Sequence, residues 1–206
     1  MPVDLAELLA PAHTALVTQE CQRAVIGDLS ALPELAENAQ KGMIANVAKL
    51  CDAARSAGVP VIHCTAERRA DGRGANANAR IFQYMARSEH PLRPGSAAAA
   101  LVPELEVRDS DILISRLHGL SPFHGTELDW VLRNLGVSTI VGVGVSVNVA
   151  IQNLCFDAVN SGYQMVVPRD GVAGFPAEYV EMVFANTLGA ITTPTTTADL
   201  LGDWKG

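Results

Sequence analysis

The stretch TIVGVGVSVNVAIQNLCFDAVNSGYQMVV, Thr139 to Val167, decides the fold. Its first five residues, Thr139 to Val143, are β-branched and apolar except for one glycine, the composition of a buried strand. From Val147 the apolar positions change to helical spacing, and Gly162 stops the helix after Ser161. Tyr163 to Val167 then reads as a second strand. A strand, a helix and a strand in so short a span make a βαβ unit, whose two strands run parallel.

The same alternation extends in both directions. Upstream, His13 to Thr18 reads as a strand, Met43 to Ala57 as a helix and Val59 to Cys64 as the next strand. The helix carries Ile44, Val47, Ala48, Cys51 and Ala54 at helical spacing and is closed by Gly58. Asp111 to Ser115 is a further strand and Glu127 to Asn134 a helix. Downstream, Ala177 to Leu188 is helical and Ala190 to Thr192 reads as a short last strand. The pattern predicts one α/β domain over residues 1–206, a three-layer αβα sandwich around a mostly parallel sheet of about six strands. Such sheets place their chemistry beyond the carboxyl ends of the strands, here residues 19–22, 63–67, 116–118 and 144–150. Residues 65–95 are the longest irregular stretch, and a long loop in a compact domain is commonly functional.

Bulk properties exclude several classes. A formal net charge of −7 argues against a nucleic-acid partner. Arg68, Arg69, Arg73 and Arg80 are interrupted by acidic and small residues and read as a solvated or pocket-edge loop. No run approaches the roughly 18–20 apolar residues of a membrane span. Met1 to Ala10 lacks a basic region ahead of an apolar run, so a cytoplasmic protein without a secretory leader is expected. Cys21, Cys51, Cys64 and Cys155 are widely spaced, which suggests reduced thiols and no zinc knuckle. Gly142 and Gly144 precede a helix, but Val147 stands where a dinucleotide-binding loop needs its third glycine. No cofactor is expected. At 49% apolar residues, the chain is expected to bury further surface as a homodimer or homotetramer.

Several short pieces in order carry a resemblance. They are ALVTQECQ at residues 15–22, Pro94-Gly-Ser96, Pro103-Glu-Leu105, the Ser-x-Phe-x-x-Thr-x-Leu of Ser121 to Leu128, and GVSVNVA with Asp157-Ala158 behind it. In this order and spacing the chain resembles the isochorismatase-like (cysteine hydrolase) family. The resemblance implies an amidohydrolase fold with an aspartate base, a supporting lysine and a nucleophilic cysteine. By register these three positions hold Glu20, Arg116 and Ala150. The carboxylate and the cation persist in type, but alanine cannot be a nucleophile. Nor do the other thiols offer a ready substitute. Cys155 points away from Ala150 on the same helix, Cys21 alternates to the other face of its strand, and Cys64 only edges the cleft.

Two chemistries remain. Isochorismatases themselves lack the cysteine and hydrolyse a vinyl ether by protonation, so Glu20 is the natural acid. That role needs a raised pKa, against which a neighbouring cation works. Alternatively Glu20 activates water against an amide, with an oxyanion held by the N–H groups of Val149 and Ala150 at a helix start. The resemblance also implies a cis peptide near Val145–Ser146, and it puts Val147 where the family has a threonine. Arg116 either binds a substrate carboxylate, for which its planar fork is suited, or pairs with Glu20. Gln22, His63, His118, Phe123, Val145, Ser146 and Val149 are candidate substrate contacts. His124 is an alternative proton carrier to His118, while Phe123 and Trp130 also suit plain packing. No metal site is expected, because no Asp-x-His pattern follows Gln22. The leading reading is a small-molecule hydrolase without covalent catalysis. The alternatives are a catalytically silent member that binds a ligand or partner protein, and a purely structural subunit.

Overall fold

The structure is a computed structural model that describes residues 4–204. The first three residues of the N-terminal stretch read above, Met1 to Val3, and the last two of the chain lie outside the described residues.

Among the described residues seven strands form the sheet: β1 (Thr14–Gln19), β2 (Val61–Ala66), β3 (Ile112–Arg116), β4 (Thr139–Val145), β5 (Gln164–Pro168), β6 (Val172–Ala173) and β7 (Thr193–Thr195). Their order is β3-β2-β1-β4-β5-β7, with β6 beside the end of β4, and every strand pair is parallel. β1 is buried along its whole length, the condition of a central strand covered on both faces.

The principal helices are α1 (Ile44–Ala57), α2 (Arg80–Met85), α3 (Leu128–Asn134), α4 (Ala150–Asn160), α5 (Ala177–Val183) and α6 (Thr197–Asp203). α1 buries Ile44, Val47, Leu50, Cys51 and Ala54 and ends at Gly58, whose φ of +76° favours a residue without Cβ. With α6 it covers one face of the sheet, against Leu16, Val61, Val141 and Val143. α3 and α4 cover the other face, where Ile151, Leu154 and Cys155 meet Val17, Ile62 and Ile140. Alternate residues of each strand thus feed two cores, as the three-layer expectation requires. No described helix is long and apolar enough to cross a membrane.

Besides shifts of one or two residues at strand ends, three features differ from expectation. The last strand is not Ala190 to Thr192. Gly189–Ile191 is still helical, because Phe184 and Leu188 just before it are buried in the second core, and β7 starts at Thr193. β7 holds Pro194, which an edge strand tolerates. α4 begins at Ala150, not Val147. Val147 N–H donates to Ala173 O (2.9 Å), and the Asn148 amide group bonds the Phe175 backbone, so this segment is stitched to the end of β6. The six-residue α2 interrupts the stretch 65–95 that reads as irregular. Trp130 is 70% exposed and packs into neither core.

Candidate active site

β1, β2 and β3 end side by side, and a cleft of about 140 Å³ opens beyond them. Glu20 follows β1, Ala66 ends β2 and Arg116 ends β3, and all three line this cleft. The register sets Ala66 opposite Arg116 and Gln19 opposite Cys64. The roof comes from the long segment between β2 and β3, including Ile81, Phe82 and Met85 of α2. His118 lines the cleft beside the turn that follows β3. Gly119 N–H donates to Asn76 Oδ1 (2.8 Å), which ties that turn to the roof.

Glu20 has a left-handed backbone, φ +53°, unusual for a residue with a Cβ. Its N–H donates to Cys64 O (2.9 Å), so the chain turns sharply out of β1 and carries the carboxylate over the strand ends. Across from it, Gly144 permits β4 to approach. A Cβ there would stand 2.3 Å from Gln19 O. Glu20 accepts from Arg116 Nη2 in an ion pair whose side chains are 18% and 3% exposed. Arg116 Nε makes only a long contact to Gly119 O (3.4 Å), and its buried Nη1 has no acceptor among the described residues. An arginine buried to this degree ordinarily has its donors satisfied.

Other candidates lie elsewhere. Gln22 is fully buried and acts as a clamp. Its Oε1 accepts from Ala66 N–H (2.8 Å), and its Nε2 donates to Ala66 O and Ala99 O (both 2.9 Å). It therefore holds the end of β2 and the segment behind the cleft without lining it. His63 is also fully buried. Its Nδ1 lies 2.8 Å from Thr18 Oγ1 and its Nε2 lies 3.3 Å from Asp111 Oδ2, on the face covered by α1. Phe123 packs on the second core and tilts against Tyr163, with centroids 6.0 Å apart. The Val145–Ser146 peptide is cis, as the resemblance implies. Val145, Ser146, Val149 and Ala150 sit at the same end of the sheet but do not line the cleft. Val149 N–H already donates to Ser146 O (3.1 Å), which removes it from the expected pair of oxyanion donors.

The serine motif has a mechanical purpose. Ser121 donates to Asp157 of α4 and accepts from the N–H groups of Phe123 (3.1 Å) and His124 (3.3 Å). Thr126 donates to Pro122 O and accepts from Leu128 N–H (3.2 Å) at the start of α3. This loop is what presents His118, whose ring lies against Gly125. A Cβ on Gly125 would come within 2.9 Å of it.

All four thiols are buried. Burial pushes Cys51, Cys64 and Cys155 up to about 12, and Cys21 higher still. A thiolate is the reactive form, so none is poised to attack at neutral pH. Among the described residues no cluster of three or more His, Cys, Asp or Glu side chains is arranged to hold a metal ion.

Two features escape a reading of the sequence. Asp111, just before β3, accepts from Arg55 Nε (3.1 Å) and Nη2 (2.7 Å), making a second buried ion pair. Gln19 is buried, and neither atom of its amide has a partner among the described residues, for which the structure offers no explanation. Neither shows a spacing that would mark it.

Comparison with known proteins follows the same outline. Residues 14–199 match the family model described as the isochorismatase domain. Over 186 residues the chain is 31% identical to the ureidoacrylate amidohydrolase RutB of Rhizobium rhizogenes, covering 84% of this chain and 75% of that protein. It is 25% identical over 130 residues to the N-carbamoylsarcosine amidase of an Arthrobacter species, covering 63% and 49%. In structure it is similar to a cysteine hydrolase from Pseudomonas syringae, with a TM-score of 0.82 at 24% identity over 95% of this chain and 93% of the other.

Proposed function

This chain belongs to the isochorismatase family, and from that premise we propose that it hydrolyses an amide-like C–N bond in a small molecule without a cysteine nucleophile. The observation that carries this reading is the Glu20–Arg116 ion pair in the cleft wall, in a chain whose thiols are all buried. Water is then the nucleophile. Glu20 takes a proton from the water as its oxygen attacks the carbonyl carbon. The tetrahedral adduct collapses, the C–N bond breaks, and the proton passes to the leaving nitrogen. Arg116 fixes the carboxylate and lends positive charge to the adduct. Ala150, in the position that the resemblance gives to the nucleophile, contributes only a methyl group.

The vinyl-ether alternative asks Glu20 to donate a proton. A carboxylate that already accepts from a guanidinium suits the role of base, and donation would first require breaking the pair. This supports the amide reading. The relatives named as amidohydrolase and amidase support it as well.

A second reading, a silent member that binds its ligand and releases it unchanged, draws on one observation: Ala150 is not a wall of the cleft. Product detection by mass spectrometry over small amides, ureas and vinyl ethers, with Glu20→Gln alongside, separates the two. Hydrolysis of a C–N substrate that disappears in the variant is the expected result. Turnover that survives in Glu20→Gln would exclude this use of Glu20, and an inert protein would favour the silent binder.

A further inference from the structure

We infer that His118 delivers the proton that the leaving nitrogen takes as the C–N bond breaks. The inference rests on the hydrolase reading and names the one group that the reading leaves open.

Breaking an amide-like C–N bond needs a proton donor, because the nitrogen is too basic to depart as an anion. The cleft wall holds six ionisable side chains: Glu20, Glu67, Arg68, His90, Arg116 and His118. The two arginines do not give up their protons. Glu20 is pinned by Arg116 Nη2 and takes the proton of the attacking water. Imidazole is the side chain that both holds and yields a proton near neutral pH, which a carboxyl group does only when its surroundings raise it. The choice falls on the two histidines.

Geometry decides between them. His118 follows Arg116 by two residues, on a turn that is tied down twice. Arg116 Nε reaches Gly119 O through its long contact (3.4 Å), and Gly119 N–H donates to Asn76 Oδ1 (2.8 Å). The His118 ring rests on Gly125, where a Cβ would stand 2.9 Å from Cε1 and 3.2 Å from Nε2. The loop that carries Gly125 is itself fastened to α4 through Ser121 and Asp157. The imidazole is thus seated from behind. Yet neither of its nitrogens is hydrogen-bonded among the described residues, in contrast to His63, whose ring is engaged at both. A ring fixed by packing, with free nitrogens on a cleft wall, is ready to meet a substrate atom. His90 lies instead on the roof beside Pro91 and also faces an outer groove with Asp28, Arg87 and Glu89. His124, the other histidine near Arg116 in the chain, is not a wall of the cleft.

The step balances. The imidazolium gives its proton to the nitrogen as the electron pair of the C–N bond moves onto it. The proton that Glu20 took from water then restores the imidazolium. One water is consumed, and a carboxylic acid and an amine are released.

Leaving groups test the assignment. For the acyl group that the amide screen selects, the primary amide and the p-nitrophenyl ester are compared in the parent, His118→Gln and Glu67→Gln. Ammonia must be protonated to leave, whereas p-nitrophenolate departs as a stable anion. His118→Gln should slow the amide by about 10²- to 10⁴-fold and the ester by less than about threefold. The exposed ring bonds to no other described residue, so the variant should fold as the parent does. Added imidazole should restore amide hydrolysis to His118→Ala. Amide hydrolysis intact in His118→Gln, equal slowing of amide and ester, or an amide-selective loss in Glu67→Gln instead would each overturn the assignment. Those outcomes leave Glu20-dependent hydrolysis standing, whereas a protein inert to every amide overturns the hydrolase reading and this inference with it.

Discussion

Two buried ion pairs lie at opposite ends of β3, and they are finished to different degrees. Asp111 and Arg55, on the face covered by α1, are saturated. Arg55 reaches Asp111 through two nitrogens, Leu105 O through Nη2 (3.1 Å) and Asp52 through Nη1 (3.1 Å), and Asp111 also accepts from Arg108 N–H (2.9 Å). Glu20 and Arg116, beyond the strand ends, are left incomplete. One guanidinium nitrogen has no acceptor, and the carboxylate stands on a left-handed residue in a cleft wall. The first arrangement is what a buried charge needs to be tolerated in a core. The second leaves one donor unsatisfied, which costs stability. Buried charge alone does not mark a functional site. A charge pair in the wall of a cleft is the better marker.

The contrast can be broken most visibly at Glu20. Glu20→Gln keeps an acceptor oxygen for Arg116 but not a base, so turnover of a C–N substrate should fall by about 10²- to 10⁴-fold in protein that remains folded at the assay temperature. A variant that loses stability and keeps turnover would reverse the roles assigned to the two pairs.

The mirror experiment is Asp111→Asn. Removing one partner of a saturated buried pair strands the other, which costs about 3–5 kcal/mol and should appear as a shifted denaturant midpoint. An Asp111→Asn protein as stable as the parent, but inactive, would move this pair into the machinery.

A smaller effect belongs to His63, which joins the saturated network. Burial pushes its imidazole below the ordinary 6.5, against the opposing pull of Asp111. Below pH 6.5 the unfolded chain takes up a proton that the folded chain refuses. Stability is therefore complete above 6.5 and falls as the pH drops toward the lower folded value. Asp111 is desolvated too, yet Arg55 and the Arg108 N–H hold its carboxyl below the ordinary 3.8, so a second loss follows as the pH falls through that lower folded value. His63→Gln should flatten the decline in melting temperature between pH 7 and 5, whatever it does at pH 7. An unchanged slope would assign the decline to other groups.

The smallest expected effect is none. Iodoacetamide under native conditions, or Cys64→Ala, should leave turnover intact, because every thiol is buried and pushed away from the thiolate form. Inactivation protected by substrate would restore a nucleophilic cysteine and remove the need for Glu20 as base.

How much of this was legible in the chain differs between fold and site. The βαβ rhythm gave the layers and the parallel sheet, since burial on both faces demands continuous apolar runs that a sequence displays. Strand ends were less legible. β1, β2 and β3 run on to Gln19, Ala66 and Arg116, each one or two residues past the reading from apolar runs. The reading stopped where the polar residues of the site begin. Glu20, Arg116 and His118 could be placed at the cleft from their position just after strands. Gln22 and His63 share that position, yet they are consumed in clamps and networks. Whether a polar side chain ends in a cavity or in a bond depends on partners distant in the sequence, such as Ala99 for Gln22 and Asp111 for His63.

The order of elements and the family could be read from the chain alone, because these rest on residue identity and local spacing. Tertiary structure decided that Glu20 meets Arg116, that α2 roofs the cleft with apolar side chains, and that one arginine is saturated while the other is not. Those outcomes rest on distances between segments 40 to 100 residues apart, which no local pattern encodes.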